Sequence, residues 1–116
     1  IVITRTPGYE AEGALVVSSV DEALQIAREE TARTDAPYIW ITGGAQLYAQ
    51  TLPLLDEAVV TDLELDVAAS APEGLSFVYA PPLDPALWRQ DMERSDAEWR
   101  ERSGDARWKV STWVQR

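Results

Sequence analysis

The sequence predicts one α/β domain, with a mostly parallel sheet flanked by helices and an antiparallel hairpin at its end. Three observations carry this expectation. Short runs of β-branched and aromatic residues alternate with segments of helical periodicity over the first half of the chain. A pair of glycines follows an apolar run directly and opens a helix. Near the tail, alternating residues flank Ser103-Gly104-Asp105, which has turn chemistry.

Ile1 to Thr4 is the first expected strand, ended by Thr6-Pro7-Gly8. Leu15-Val16-Val17 is the second. Ser19-Val20-Asp21-Glu22 then forms a capping box, in which the Ser19 hydroxyl accepts from the amide three residues on and Glu22 reaches back. Val20, Ala23, Leu24 and Ala27 give the following helix one apolar stripe before polar sequence begins at Thr31 to Asp35. Tyr38-Ile39-Trp40-Ile41 is apolar throughout, which predicts a strand buried on both faces. Gly43-Gly44 and a helix from Ala45 to Leu52 come next, then a strand from Ala58 to about Val67. The segment from Ala68 to Pro85 contains Pro72, Pro81, Pro82 and Pro85 and reads as loop. Strand–helix–strand alternation of this kind implies right-handed crossovers. Trp88 to Trp99 and Ala106 to Val114 are the arms of the expected hairpin.

Composition excludes several function classes. At 116 residues and 46% hydrophobic, the chain suits one domain with its own core. It has no Cys and no His, which removes disulfides, thiolate metal sites and the commonest general base. A net charge of −10 argues against nucleic-acid and anionic membrane partners. An anionic cofactor remains compatible, because local amides and one Arg can outweigh a distant negative surface. Asp62, Glu64 and Asp66 share one side of the expected strand, and together with Asp56 and Glu57 they read as a polar edge; no metal site is expected. The absence of Cys fits a cytoplasmic setting.

Two stretches have the chemistry of an anion site. In Ile39 to Tyr48, Gly43 and Gly44 would let the backbone approach a ligand, and the helix start would offer unpaired N–H groups to a phosphate. In Ile1 to Gly8, Thr4, Arg5 and Thr6 place a guanidinium and two hydroxyls at a strand's C-terminal edge, a set suited to a phosphate monoester. Thr61 sits within a third stretch, Val59 to Leu63, where a hydroxyl is also an ordinary strand residue. The three spaced glycines of the dinucleotide fingerprint are absent.

In this order and with these gaps, IVITRTPG, SSVDEAL and ITGGAQLYAQTLPLLDEAVVTDLELDV resemble dihydrofolate reductase, in details closest to actinobacterial members. The resemblance covers essentially the whole chain. It implies the C-terminal portion of one dihydrofolate reductase domain over residues 1–116, incomplete because the N-terminal strands are absent. The opening on Ile1-Val2-Ile3-Thr4, in mid-strand, fits that expectation, with a processed N-terminus as the alternative.

The implied function is NADPH-dependent reduction of 7,8-dihydrofolate to 5,6,7,8-tetrahydrofolate by hydride transfer in the complete parent protein, with this chain alone inactive. Thr4, Arg5 and Thr6 would bind the 2′-phosphate end of NADPH, and Gly43, Gly44, Ala45, Gln46 and Leu47 its pyrophosphate. Thr42 would offer its carbonyl to the pterin of the small-molecule substrate, with Tyr48 beside the nicotinamide. Thr61 matches the threonine that holds the pterin-binding acid, a supporting role, and no residue in this chain is assigned the catalytic acid itself. Ser18 stands where the family often has a base, and Ala45 replaces a third glycine. The parent is expected to be a monomer, whereas the lone chain would leave strand edges unpaired and self-associate or lose stability. Two other readings stay open: a pyrimidine reductase of riboflavin synthesis with the same fold, and a non-catalytic interaction module. Thr61 and Gln46-Leu47-Tyr48 favour the folate enzyme over the pyrimidine reductase.

Overall fold

A computed structural model describes residues 1–116. The chain divides into two compact units, Ile1–Gly43 and Gly44–Arg116.

In the first unit, β1 (Val2–Ile3) pairs parallel with β2 (Val16–Val17), Val2 opposite Val16 and Ile3 opposite Val17. The amides of Val2 and Thr4 donate to the carbonyls of Leu15 and Val17 at 2.7 and 3.0 Å, extending the ladder by a residue at each end. The helix α1 (Val20–Thr34) follows and packs near β1. Its start matches the capping box: the Glu22 amide donates to Ser19 Oγ at 3.1 Å. The Glu22 carboxylate reaches back, but to the amide of Ser18 (3.4 Å) rather than that of Ser19. Ala23 and Val17 are the buried apolar residues of this unit. Asp35 ends α1 in the left-handed conformation, φ 56°.

The expected strand at Tyr38–Ile41 does not form. These residues have no regular secondary structure, and Tyr38, Ile39 and Trp40 are exposed, Trp40 to 67%. An apolar run becomes a strand only when neighbouring strands satisfy its N–H and C=O groups, and none pairs with this one. Tyr38 and Trp40 instead lie with ring centroids 5.5 Å apart and planes tilted by 53°.

The second unit begins with α2 (Ala45–Thr51), which tightens into a 3₁₀ turn at Leu52–Leu54 where Pro53 enters. Thr51 is 1% exposed, and its hydroxyl donates to the Leu47 carbonyl at 2.8 Å, so no buried oxygen is left unpaired. An antiparallel sheet follows. Its spine is β6 (Ala106–Gln115), flanked by β3 (Glu57–Leu63) along one edge. Along the other edge lie β4 (Trp88–Asp91) and β5 (Arg100–Ser103), which use opposite ends of β6. The β3–β6 ladder runs from Glu57 opposite Val114 to Leu63 opposite Trp108. Trp88, 3% exposed, and Ala106 are the buried apolar residues of this unit.

The sheet therefore departs from the mostly parallel one expected. Parallel pairing is confined to β1 and β2, and every ladder in the second unit is antiparallel. The physical reason is the same as for Tyr38–Ile41. The crossover unit that β2 and α1 begin has no second strand to lie parallel to, while the Gly104 turn, φ 66°, returns β6 directly along β5. The strand β3 stops at Leu63 rather than near Val67, and Asp66 caps a one-turn helix α3 (Val67–Ser70) through the Ala69 amide at 3.1 Å. That turn lies at the start of the stretch read as loop.

Candidate functional site

In the first unit the predicted anion-binding residues fall together. Thr4, Arg5 and Thr6 follow β1 and line an open cavity of about 480 Å³. Pro7, Gly8 and Tyr9 of the turn and Val16, Val17, Ser18 and Glu22 at the end of β2 and the start of α1 line it as well. The parallel pair positions them, because the Thr4 amide is tied to Val17 and carries the following residues off the same strand end. Thr4 Oγ1 accepts from the Thr6 amide at 3.1 Å, bending the chain so that Arg5 stands at the turn. Arg5 is exposed and makes no ion pair. A guanidinium beside two hydroxyls, unopposed by a bonded carboxylate, is an anion-binding group with its donors free.

The glycine pair straddles the two units, Gly43 closing the first and Gly44 opening the second. Gly43 has φ 103°, a backbone that L side chains rarely adopt. Gly44 is the N-cap of α2, extended at φ −81° and ψ −158°. A Cβ built on Gly44 would meet nothing within 4 Å. No side chain caps α2, and its first internal bond is the Tyr48 amide to the Gly44 carbonyl at 3.0 Å. The amides of Ala45, Gln46 and Leu47 thus start the helix without a protein acceptor, as the first turn of a helix does when uncapped. The contrast with α1 is direct: Ser19 and Glu22 make side-chain bonds at that helix start, and no side chain caps this one.

Thr42 is exposed in irregular chain, and Tyr48 is half-buried on α2. Thr61 lies within β3 opposite Val110, exposed on the sheet face that also carries Val59 and Leu63. Of the acidic residues along the polar edge, Glu57 is gripped by Arg94 at 2.8 and 3.0 Å and Glu64 by Arg107 at 2.5 and 2.6 Å. Several cavity residues were not singled out as site residues from sequence, among them Tyr9, which is half exposed, and Glu22. Glu22 had a signal, its place in the capping box, but that signal speaks of a helix start and not of a cavity wall.

No helix is long and apolar enough to cross a membrane. A family model for dihydrofolate reductase matches residues 1–112. Among curated relatives, the dihydrofolate reductase of Mycobacterium tuberculosis strain H37Rv is 34% identical over 105 residues, 90% of this chain and 53% of the relative. The type 3 dihydrofolate reductase of Salmonella typhimurium is 34% identical over 97 residues, 82% of this chain and 50% of that protein. The dihydrofolate reductase of Neisseria gonorrhoeae is 33% identical over 96 residues, covering 83% and 51%. The chain spans about half the length of the curated relatives it matches.

Proposed function

We propose, from the premise that the chain belongs to the dihydrofolate reductase family, that it supplies the NADPH-binding part of a cytoplasmic enzyme reducing 7,8-dihydrofolate to 5,6,7,8-tetrahydrofolate. The observation that carries the reading is the cavity in which Arg5, without an ion-pair partner, stands with Thr4 and Thr6. Those three residues hold the 2′-phosphate of the cofactor. Gly43 and Gly44 admit the diphosphate to the backbone, and the amides of Ala45, Gln46 and Leu47 donate to it. When bound, NADPH supplies the hydride. Thr42 accepts from the pterin through its carbonyl, Tyr48 borders the nicotinamide, and Thr61 orients the acid that binds the pterin. No residue of the chain is assigned that acid. Turnover therefore belongs to a polypeptide of the relatives' length, and the 116 residues alone bind cofactor without reducing dihydrofolate.

The test is a fluorescence titration of the chain with NADPH. Saturable binding that weakens about tenfold or more in Arg5→Gln, the scale of losing charge-assisted hydrogen bonds to a phosphate, is the expected result. Absence of binding, or binding indifferent to residue 5, would overturn the reading.

A further inference from the structure

The residues that line the cavity with Arg5 also include a carboxylate. It belongs to Glu22 and does not float free: Oε2 accepts from the Ser18 amide at 3.4 Å, while the Glu22 amide is itself held by Ser19 Oγ at 3.1 Å. The side chain is thus folded back over the start of α1, among the residues that line the cavity with Arg5. No cation neutralises it there, because Arg5 forms no salt bridge and none of the ion pairs in the molecule includes Glu22.

Two consequences follow for any phosphate drawn in by Arg5. It meets a second, unpaired anion across an open, solvent-filled space, where repulsion is weakened by water and salt without vanishing. It also finds the Ser18 amide already engaged by a carboxylate. That bond is long, so it is a weak one that a ligand could contest.

We propose that Glu22 is a specificity-determining residue that lowers the preference of this site for adenosine carrying a 2′-phosphate over adenosine without one. The proposal rests on the reading of the Arg5 cavity as the 2′-phosphate site. Arg5 attracts the phosphoryl group and Glu22 opposes it, so the discrimination between phosphorylated and unphosphorylated nucleotides is the difference between two charges rather than the effect of one. The carboxylate is kept in the cavity by its other task, closing the helix start.

The experiment uses calorimetric titration of the 116-residue chain with adenosine 2′,5′-bisphosphate and with 5′-AMP as probes. Glu22→Gln retains a group able to accept from the Ser18 amide and removes the charge. It is expected to bind the bisphosphate up to about fivefold tighter, the scale of one exposed charge pair, with 5′-AMP affinity unchanged and the gain shrinking as salt is added. Glu22→Asp keeps the charge and shortens the reach, and is expected to leave the ratio of the two affinities near that of the unaltered chain. A rise in the ratio for both variants would assign the effect to helix capping and overturn the inference, as would an unchanged ratio in Glu22→Gln. In either case, Arg5→Gln still weakening the bisphosphate leaves the cofactor reading standing. Bisphosphate binding that is absent, or unaffected by Arg5→Gln, overturns the cofactor reading and this inference with it.

Discussion

The two adjacent glycines differ in what they tolerate. At Gly43, φ 103° makes any L side chain strained, so Gly43→Ala is expected to destabilise the chain by about 1–2 kcal/mol, read as a lower denaturant midpoint. At Gly44 the backbone is extended and the space for a Cβ is empty. Gly44→Val should keep the fold by circular dichroism, lowering stability by about 1 kcal/mol as a β-branched residue at a helix N-cap does. It should also abolish NADPH binding, because a side chain there would stand at the approach to the α2 amides. Loss of fold in Gly44→Val, or unimpaired binding, would contradict the assignment. Both glycines were legible in the sequence as a pair opening a helix, although the strand expected before them does not form. Their separate conformations were not, since residue type alone does not state which of two neighbours takes the positive φ.

Local chemistry proved easiest to read among the elements. The capping box fixed the start of α1, because Ser19 and Glu22 act on amides within a few residues of themselves. Ser19→Ala is expected to cost about 1 kcal/mol, measured by urea unfolding. The Ser103-Gly104-Asp105 turn located the β5–β6 hairpin for the same reason: its partners are close in sequence. The first arm, however, is Arg100–Ser103 and not the expected Trp88 to Trp99, of which only Trp88–Asp91 is strand, paired with the far end of β6. Tyr38–Ile41 was misread because burial is supplied by neighbours, and the run itself contains no information on whether they are present. Trp88 of β4 is 3% exposed and lies opposite Gln115 of β6. Trp88→Ala should lower stability by about 3–5 kcal/mol in the same assay.

Across the whole molecule, few apolar side chains are buried, and large ones are exposed in both units, among them Leu15, Tyr38, Trp40, Leu63 and Val78. The chain is expected to bind a hydrophobic dye under native conditions and to show concentration-dependent mass in sedimentation; a dye-silent monomer at all concentrations would contradict this. Acid should also weaken it. Hydrogen bonds from Arg94, Arg100 and Arg107 hold the carboxyls of Asp91, Asp96 and Glu64 below their ordinary values. A carboxyl whose folded pKa is depressed adds stability above its unfolded pKa and loses it as pH falls through the folded one. The loss should therefore begin near pH 4 and continue below it, and added salt at neutral pH should diminish the same contribution, since these pairs face solvent. A midpoint unchanged between pH 6 and pH 3 would refute it.

The spine position of β6 carries a kinetic corollary. With β5 it needs only the Gly104 turn to zip together, whereas β3 reaches it across a separation typified by Glu64 and Arg107, 43 residues apart. Closing the short loop is entropically cheap and closing the long one is not. The hairpin is thus the natural nucleus, and β3 docks late. Gly104→Ala should slow refolding in stopped-flow measurements, while Val60→Ala in β3 should chiefly accelerate unfolding.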